Sequence, residues 1–196
     1  HSLRGMAEAR IALAVAAGGR ALAWQAPAPR KVLYLDADTP LALLQERLRA
    51  LSRGTPPRTL AVLAAEAQDE MPSLGWPASL RKLERHLDGV DLLVLDGLSS
   101  LMAAGLPGRW HDLALALRAW RKRGVAVVLV EGRGLKGKAR ALEGLIEATI
   151  ALAPRIEREP HEGLRCEVMV EGARLDLGAA AAPVQADLAA GSWRVE

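Results

Sequence analysis

Three continuous apolar runs constrain this chain more than any other feature. They are KVLYLDAD (31–38), VDLLVLDGLSS (90–100) and VAVVLVEG (125–132). A strand with one wet face alternates apolar and polar residues. A strand apolar at successive positions has both faces covered, which marks a parallel sheet sandwiched by helices. The stretches between the runs have helical spacing. TPLALLQERLRALSRG (39–54) offers Thr39 as a cap, Pro40 for the first turn and Gly54 as a stop. PASLRKLERHLDG (77–89) places Leu80, Leu83 and Leu87 on one side, and HDLALALRAWRKRG (111–124) ends at Gly124. RTLAVLAAE (58–66) reads as a further strand.

Strand–helix alternation of this kind predicts an α/β fold, a mostly parallel sheet flanked by helices. The alternation holds to about residue 148. After it, ATIALAPRIER, LRCEVMVEGARL, APVQADL and SWRVE read as short strands joined by turns, an antiparallel extension of the same sheet. The expectation is one domain over 1–196, with a β/α core at 1–148 and a β extension at 149–196.

With 196 residues the chain can bury about 70% of its unfolded surface, so a core needs no covalent staples. Its 51% hydrophobic and 25% charged residues exclude a disordered chain. Phe is absent, so the core must be Leu, Val, Ile and Ala. Cys166 is the single cysteine, which rules out an internal disulfide and points to a reducing, cytoplasmic setting. No apolar run approaches the roughly 18 residues of a membrane span, and no membrane partner is expected. The net charge of +3 permits nucleic-acid contact without requiring it. The chain opens on His1 rather than Met, which leaves open native residues upstream.

Open parallel sheets bind ligands beyond the carboxyl ends of their strands. LLVLD puts Asp96 at one such tip, where an aspartate that orders Mg²⁺ would sit, and LYLDAD puts Asp36 and Asp38 at another. With VLYLDADTPLALLQERLRAL, VDLLVLDGLSSLM and KRGVAVVLVEGRG in this order and spacing, the chain resembles the RepA-type branch of RecA-like ATPases, which includes hexameric replicative helicases. The tail RCEVMVEGARLDLG…APVQADLAAGSWRVE is similar to that family's terminal strands. The resemblance implies a RecA-like core, ATP and DNA transactions, and assembly into rings or filaments.

It also implies a site that has lost its parts. A phosphate-binding loop needs glycines that turn backbone N–H groups onto phosphate, a lysine for the β/γ-phosphates and a Ser/Thr hydroxyl on Mg²⁺. Laid on the family's pattern, Gly5 matches the middle glycine, Ala7 the last, Glu8 the lysine and Ala9 the Ser/Thr. A carboxylate about 4 Å from a phosphate oxygen, at an effective dielectric near 20, repels by roughly 4 kcal/mol where lysine would attract. Asp38 stands for the catalytic glutamate, one methylene shorter. Glu131 and Gly132 stand for a His-His sensor, and Gly172 for a lysine beside the retained Arg174. Asp96 alone survives among the Walker residues. The expectation is a pseudo-ATPase with no catalytic residues and no cofactor, its vestigial nucleotide positions being Gly5, Glu8, Ala9, Asp96 and Arg174, with Asp38 beside them.

EGRGLKGKARALEG (131–144) carries Arg133, Lys136, Lys138 and Arg140 among glycines. In the family this region faces the channel through which single-stranded DNA passes, and spaced cations suit phosphate contact. The expected partners are single-stranded DNA, a RecA-like paralogue or further copies of the chain. The alternatives are a weak Mg-ATPase, with Asp96 and Asp38 on the metal, Arg174 on phosphate and Lys31 or Lys136 replacing the missing lysine, or a structural subunit of an oligomer. His86 and His111 have no acid or cysteine at metal spacing, so no metal site is expected.

Overall fold

The computed structural model describes residues 3–22, 24–102, 109–132, 140–154, 164–171, 183–189 and 192–195. Helix α1 (Leu3–Ala17) stops at Gly18, whose φ of +70° suits a glycine. A short hairpin follows, β1 (Arg20–Ala21) with β2 (Trp24–Gln25). Strands and helices then alternate as β3 (Val32–Asp36), α2 (Leu41–Leu51), β4 (Leu60–Ala64), α3 (Pro77–Glu84), β5 (Leu92–Asp96), α4 (Leu98–Met102), α5 (Trp110–Lys122) and β6 (Ala126–Val130).

β3, β4, β5 and β6 form one parallel sheet in the order β4-β3-β5-β6. Alternation along the strands sorts its side chains between two cores. Val32, Tyr34, Leu92 and Val94 pack with Ala9, Ala12 and Leu13 of α1 and Leu44, Leu48 and Leu51 of α2. Leu33, Leu35, Leu93 and Leu95 pack on the other face with Leu80, Leu83, Leu113, Leu117 and Trp120 of α3 and α5. The central strands β3 and β5 are buried at every position, as their uninterrupted apolar runs require.

Beyond the core come α6 (Arg140–Glu143), β7 (Thr149–Pro154), β8 (Leu164–Glu171), β9 (Val184–Ala189) and β10 (Ser192–Val195). The four strands are antiparallel in the order β10-β9-β8-β7. Cys166 is buried in this sheet. Among the described residues these strands pair with one another and not with β6, so they make a second sheet rather than a continuation of the first.

Two local readings need correction. The segment 90–100 reads as a buried strand ending in a loop; β5 does end at Asp96, but Leu98–Met102 after it is helical rather than a loop. The start of the chain matters more. A loop was expected before the Ala/Leu helix, yet the helix begins at Leu3 and takes in Gly5, Ala7, Glu8 and Ala9. None of these four has a positive φ, so the alanine at position 7 carries no backbone strain.

Candidate nucleotide site

In register, Asp36 at the tip of β3 faces Asp96 at the tip of β5. Register partners on parallel strands project to the same side, here the side of Tyr34 and Val94, toward α1 and α2. Both carboxylates are buried, at 0% and 2% exposure. Tyr34 Oη donates to Asp96 Oδ2 at 2.8 Å. Asp36 Oδ1 accepts from the backbone N–H groups of Asp38 (3.1 Å) and Thr39 (2.7 Å), a turn that feeds the chain into α2. The second oxygens, Asp36 Oδ2 and Asp96 Oδ1, are buried and have no hydrogen-bond partner among the described residues.

The electrostatics follow from that crowding. Burial pushes the Asp36 carboxyl above the usual carboxylate range; the Thr39 N–H opposes the shift and the Asp96 charge adds to it. Burial pushes the Tyr34 phenol far above its ordinary value, helped by the charges of Asp96, Glu8 and Asp36. Tyr34 therefore stays a neutral donor.

From α1, residues 5, 8, 9 and 12 share one stripe by helical spacing. Glu8 is 5% exposed, and Ala9 and Ala12 are fully buried. Facing this stripe is Arg47 of α2, 3% exposed. A Cβ added to Gly5 would lie 2.6 Å from Arg47 Nη2 and 2.5 Å from its Cζ. The guanidinium thus rests against the first turns of α1 and takes the space a side chain at residue 5 would need. Arg47 Nε and Nη1 are buried without a hydrogen-bond partner among the described residues.

The remaining acids lie at the same end of the sheet. Asp38 is exposed, and its carboxylate packs on Gly97: a Cβ there would sit 2.6 Å from Asp38 Cγ. Gly97 also has a φ of +75°, so glycine is required on both counts. Glu131, in the sensor position, serves as a tie. Its Oε2 accepts from Ser99 N (2.9 Å) and Ser99 Oγ (2.6 Å), and its Oε1 from Gly132 N (2.8 Å), joining β6 to the start of α4. Among the described residues no three His, Cys, Asp or Glu side chains are grouped to hold a metal ion.

The structure therefore brings together Gly5, Glu8, Ala9, Asp96 and Asp38 at the carboxyl end of the sheet. Arg133, Lys136, Lys138 and Arg174 lie outside the described residues, as does the side chain of Arg140, which opens α6. Lys31 precedes β3 at the opposite end of the sheet, so it cannot replace the missing lysine. The cation that sequence reasoning missed is Arg47. Its signal was present, as an arginine among the apolar positions Leu44, Leu48 and Leu51 of an amphipathic helix. Tyr34 sits inside the apolar run of β3, and a tyrosine in a strand interior needs a partner for its hydroxyl, here Asp96.

A four-stranded parallel sheet covered by helices, with acids at adjacent strand tips, is an α/β arrangement that RecA-like proteins share. The family model for an AAA domain, AAA_25, matches residues 8–134, and the chain belongs to that family. Among solved structures it is similar to the flagellar accessory protein FlaH from Methanocaldococcus jannaschii. The identity is 12% and the TM-score 0.60, over 85% of this chain and 76% of that one. No curated protein matches. No described helix is long and apolar enough to cross a membrane.

Proposed function

We propose that this chain is a RecA-like protein that has given up ATP hydrolysis and works by binding, as a regulatory factor in DNA replication, recombination or repair. Its targets are single-stranded DNA, an active RecA-like partner, or both. One observation carries the reading: where a phosphate cradle would have a loop and a lysine, the chain has continuous helix, a buried Glu8, and the Arg47 guanidinium over Gly5. Among the described residues the carboxylates of Glu8, Asp36 and Asp96 are buried at this end of the sheet, and negative charge there opposes a triphosphate. The residues present do not fit a nucleotide polyphosphate. Membership of a P-loop family supports the ancestry that this reading presumes.

Calorimetry with Mg-ATP tests it, on the wild type and on Glu8→Lys/Ala9→Thr. The wild type should give no binding heat. Micromolar binding that Asp96→Ala abolishes would overturn the proposal and favour the second reading, a weak Mg-ATPase. For that reading the structure offers Arg47, a buried cation with two unpartnered nitrogens, so Arg47→Met should then abolish binding as well.

A further inference from the structure

Among the described residues, acids gather at the carboxyl end of the parallel sheet and basic residues close the helices at its amino end. The carboxyl end carries Glu8, Asp36, Asp38, Glu66, Asp96 and Glu131, together with the exposed pair Asp69 and Glu70. At the amino end α2, α3 and α5 terminate before running into β4, β5 and β6. There each helix has basic residues in its last turn: Arg49 in α2, Arg81 and Lys82 in α3, and Arg121 and Lys122 in α5.

On the α3–α5 side of that end, carboxylates answer part of the charge. Arg123 pairs with Glu84 (3.2 Å) and Asp88 (2.7 Å), and Arg121 pairs with Glu147. The β3–β4 corner is different. Arg30, Lys31, Arg49, Arg53 and Arg58 are all exposed there. Among the described residues Asp91 pairs with Arg30 at 3.7 Å, and its Oδ2 also accepts the Lys31 N–H. Among the described residues Arg49, Arg53 and Arg58 make no ion pair.

Helix dipoles explain only one of these cations. Arg49 complements the C-terminus of α2, but Arg30 and Arg58 lie on loops. Arg30 lies two residues before β3 and Arg58 two residues before β4, so both enter the sheet at its amino edge, on neighbouring strands. Arg53 goes against local preference. It has a φ of +55°, in the turn after α2 where glycine is the low-energy choice, and Gly54 follows directly. An arginine held in a conformation that disfavours it, beside four other unopposed or weakly opposed cations, is strain kept at a surface.

We propose that this amino-end corner, built on Arg30, Arg49, Arg53 and Arg58, binds the phosphate backbone of nucleic acid. The inference deepens the DNA-binding part of the function proposed above and rests on it. It moves the contact to the end of the sheet opposite the nucleotide position. Guanidinium groups suit this use because their planar donor forks match phosphate oxygens.

The test is fluorescence anisotropy of a labelled oligo(dT) over a salt series. The protein variants are wild type, Arg49→Gln/Arg53→Gly/Arg58→Gln, and Arg133→Gln/Lys136→Gln/Lys138→Gln. Each single-strand phosphate contact contributes about 0.7 to the slope of log K against log salt, so losing three lowers the slope by about 2 and the affinity by roughly 100-fold at ~0.1 M salt. Arg53→Gly alone relieves the positive φ, so it should melt no lower than wild type while binding about fivefold more weakly. Loss in the corner variants with binding kept in the 133–138 variant supports the proposal. Loss only in the 133–138 variant overturns it and leaves the DNA-binding function standing. No binding by wild type at low salt overturns both. Salt-sensitive self-association in sedimentation, dissolved by the corner variant while oligo(dT) binding is unchanged, also overturns it, because the corner then docks the acidic end of a second copy.

Discussion

Gly5 and Arg47 test how far a single contact governs the helix that begins the fold. In an open helix, Gly→Ala stabilises by up to about 1 kcal/mol. Here the new methyl group would meet a buried guanidinium, and overpacking of this kind typically costs about 1–3 kcal/mol. Gly5→Ala is therefore expected to lower the melting temperature by a few degrees. In Gly5→Ala/Arg47→Met the loss should be smaller than the sum of the single changes. Additive effects in that thermal cycle would remove the contact from the account.

Asp36 gives the pH dependence. Its carboxyl is raised above the ordinary value of 3.8, first by burial. Between pH 3.8 and that raised value the folded state therefore holds a proton that the unfolded chain has released, and above it the carboxylate is charged in both. Its contribution to stability is fully present below pH 3.8 and is lost as pH rises through the raised value. Asp36→Asn keeps an oxygen for the Asp38 and Thr39 N–H groups and removes the buried charge. It should melt higher than wild type at neutral pH, by on the order of 1 kcal/mol, with the gap closing on acidification. A gap that widens in acid would contradict the sign of the shift.

At the scale of elements, the central strands were legible because total burial leaves a total apolar run. β6 shows the limit of that signal. VAVVLV is as apolar as its neighbours, yet β6 is the edge strand, with Ala126 exposed and Val127, Val128 and Leu129 half-buried. Apolar content reports what a strand tolerates; its place in the sheet is set by which other strands remain to pair. Helix α1 illustrates the opposite error. Gly5 suggested a loop by resemblance, but the local sequence LRGMAEARIALAVAA holds a single glycine among strong helix formers, and local propensity prevailed. The acid at residue 131 was read as a lost sensor, and only the structure gives its present work. Glu131→Ala removes the acceptor for Ser99 N and Ser99 Oγ. The loss should be about 1 kcal/mol, as for other helix-start caps, and about 2–4 °C in melting temperature for a chain of this size. Hydrogen exchange at the first α4 amides should rise with it. Unchanged exchange there would mean that the tie adds nothing.

At the scale of the whole molecule, the net charge of +3 gives no hint that, among the described residues, acids gather at the strand tips and basic residues close the helices at the opposite edge. In a parallel α/β sheet every helix ends at the amino edge, so cations that suit helix C-termini collect there, and acids at strand tips collect at the other edge. The same sorting sets the last expectation, on nucleotide. A ligand at 100 times its Kd stabilises the state that binds it by about 2.7 kcal/mol, or about 5–10 °C for a domain of this length. With ~5 mM Mg-ATP, any affinity of ~50 µM or better would therefore raise the melting temperature by at least about 5 °C. The wild type is expected to move by less than ~1 °C, because Glu8, Asp36 and Asp96 all present negative charge where the triphosphate would enter. Glu8→Gln at the same nucleotide concentration separates two causes of that silence. If charge alone excludes the ligand, removing it should restore part of the shift. If continuous helix and the Arg47 guanidinium also fill the space, the variant stays silent until Arg47 is shortened too.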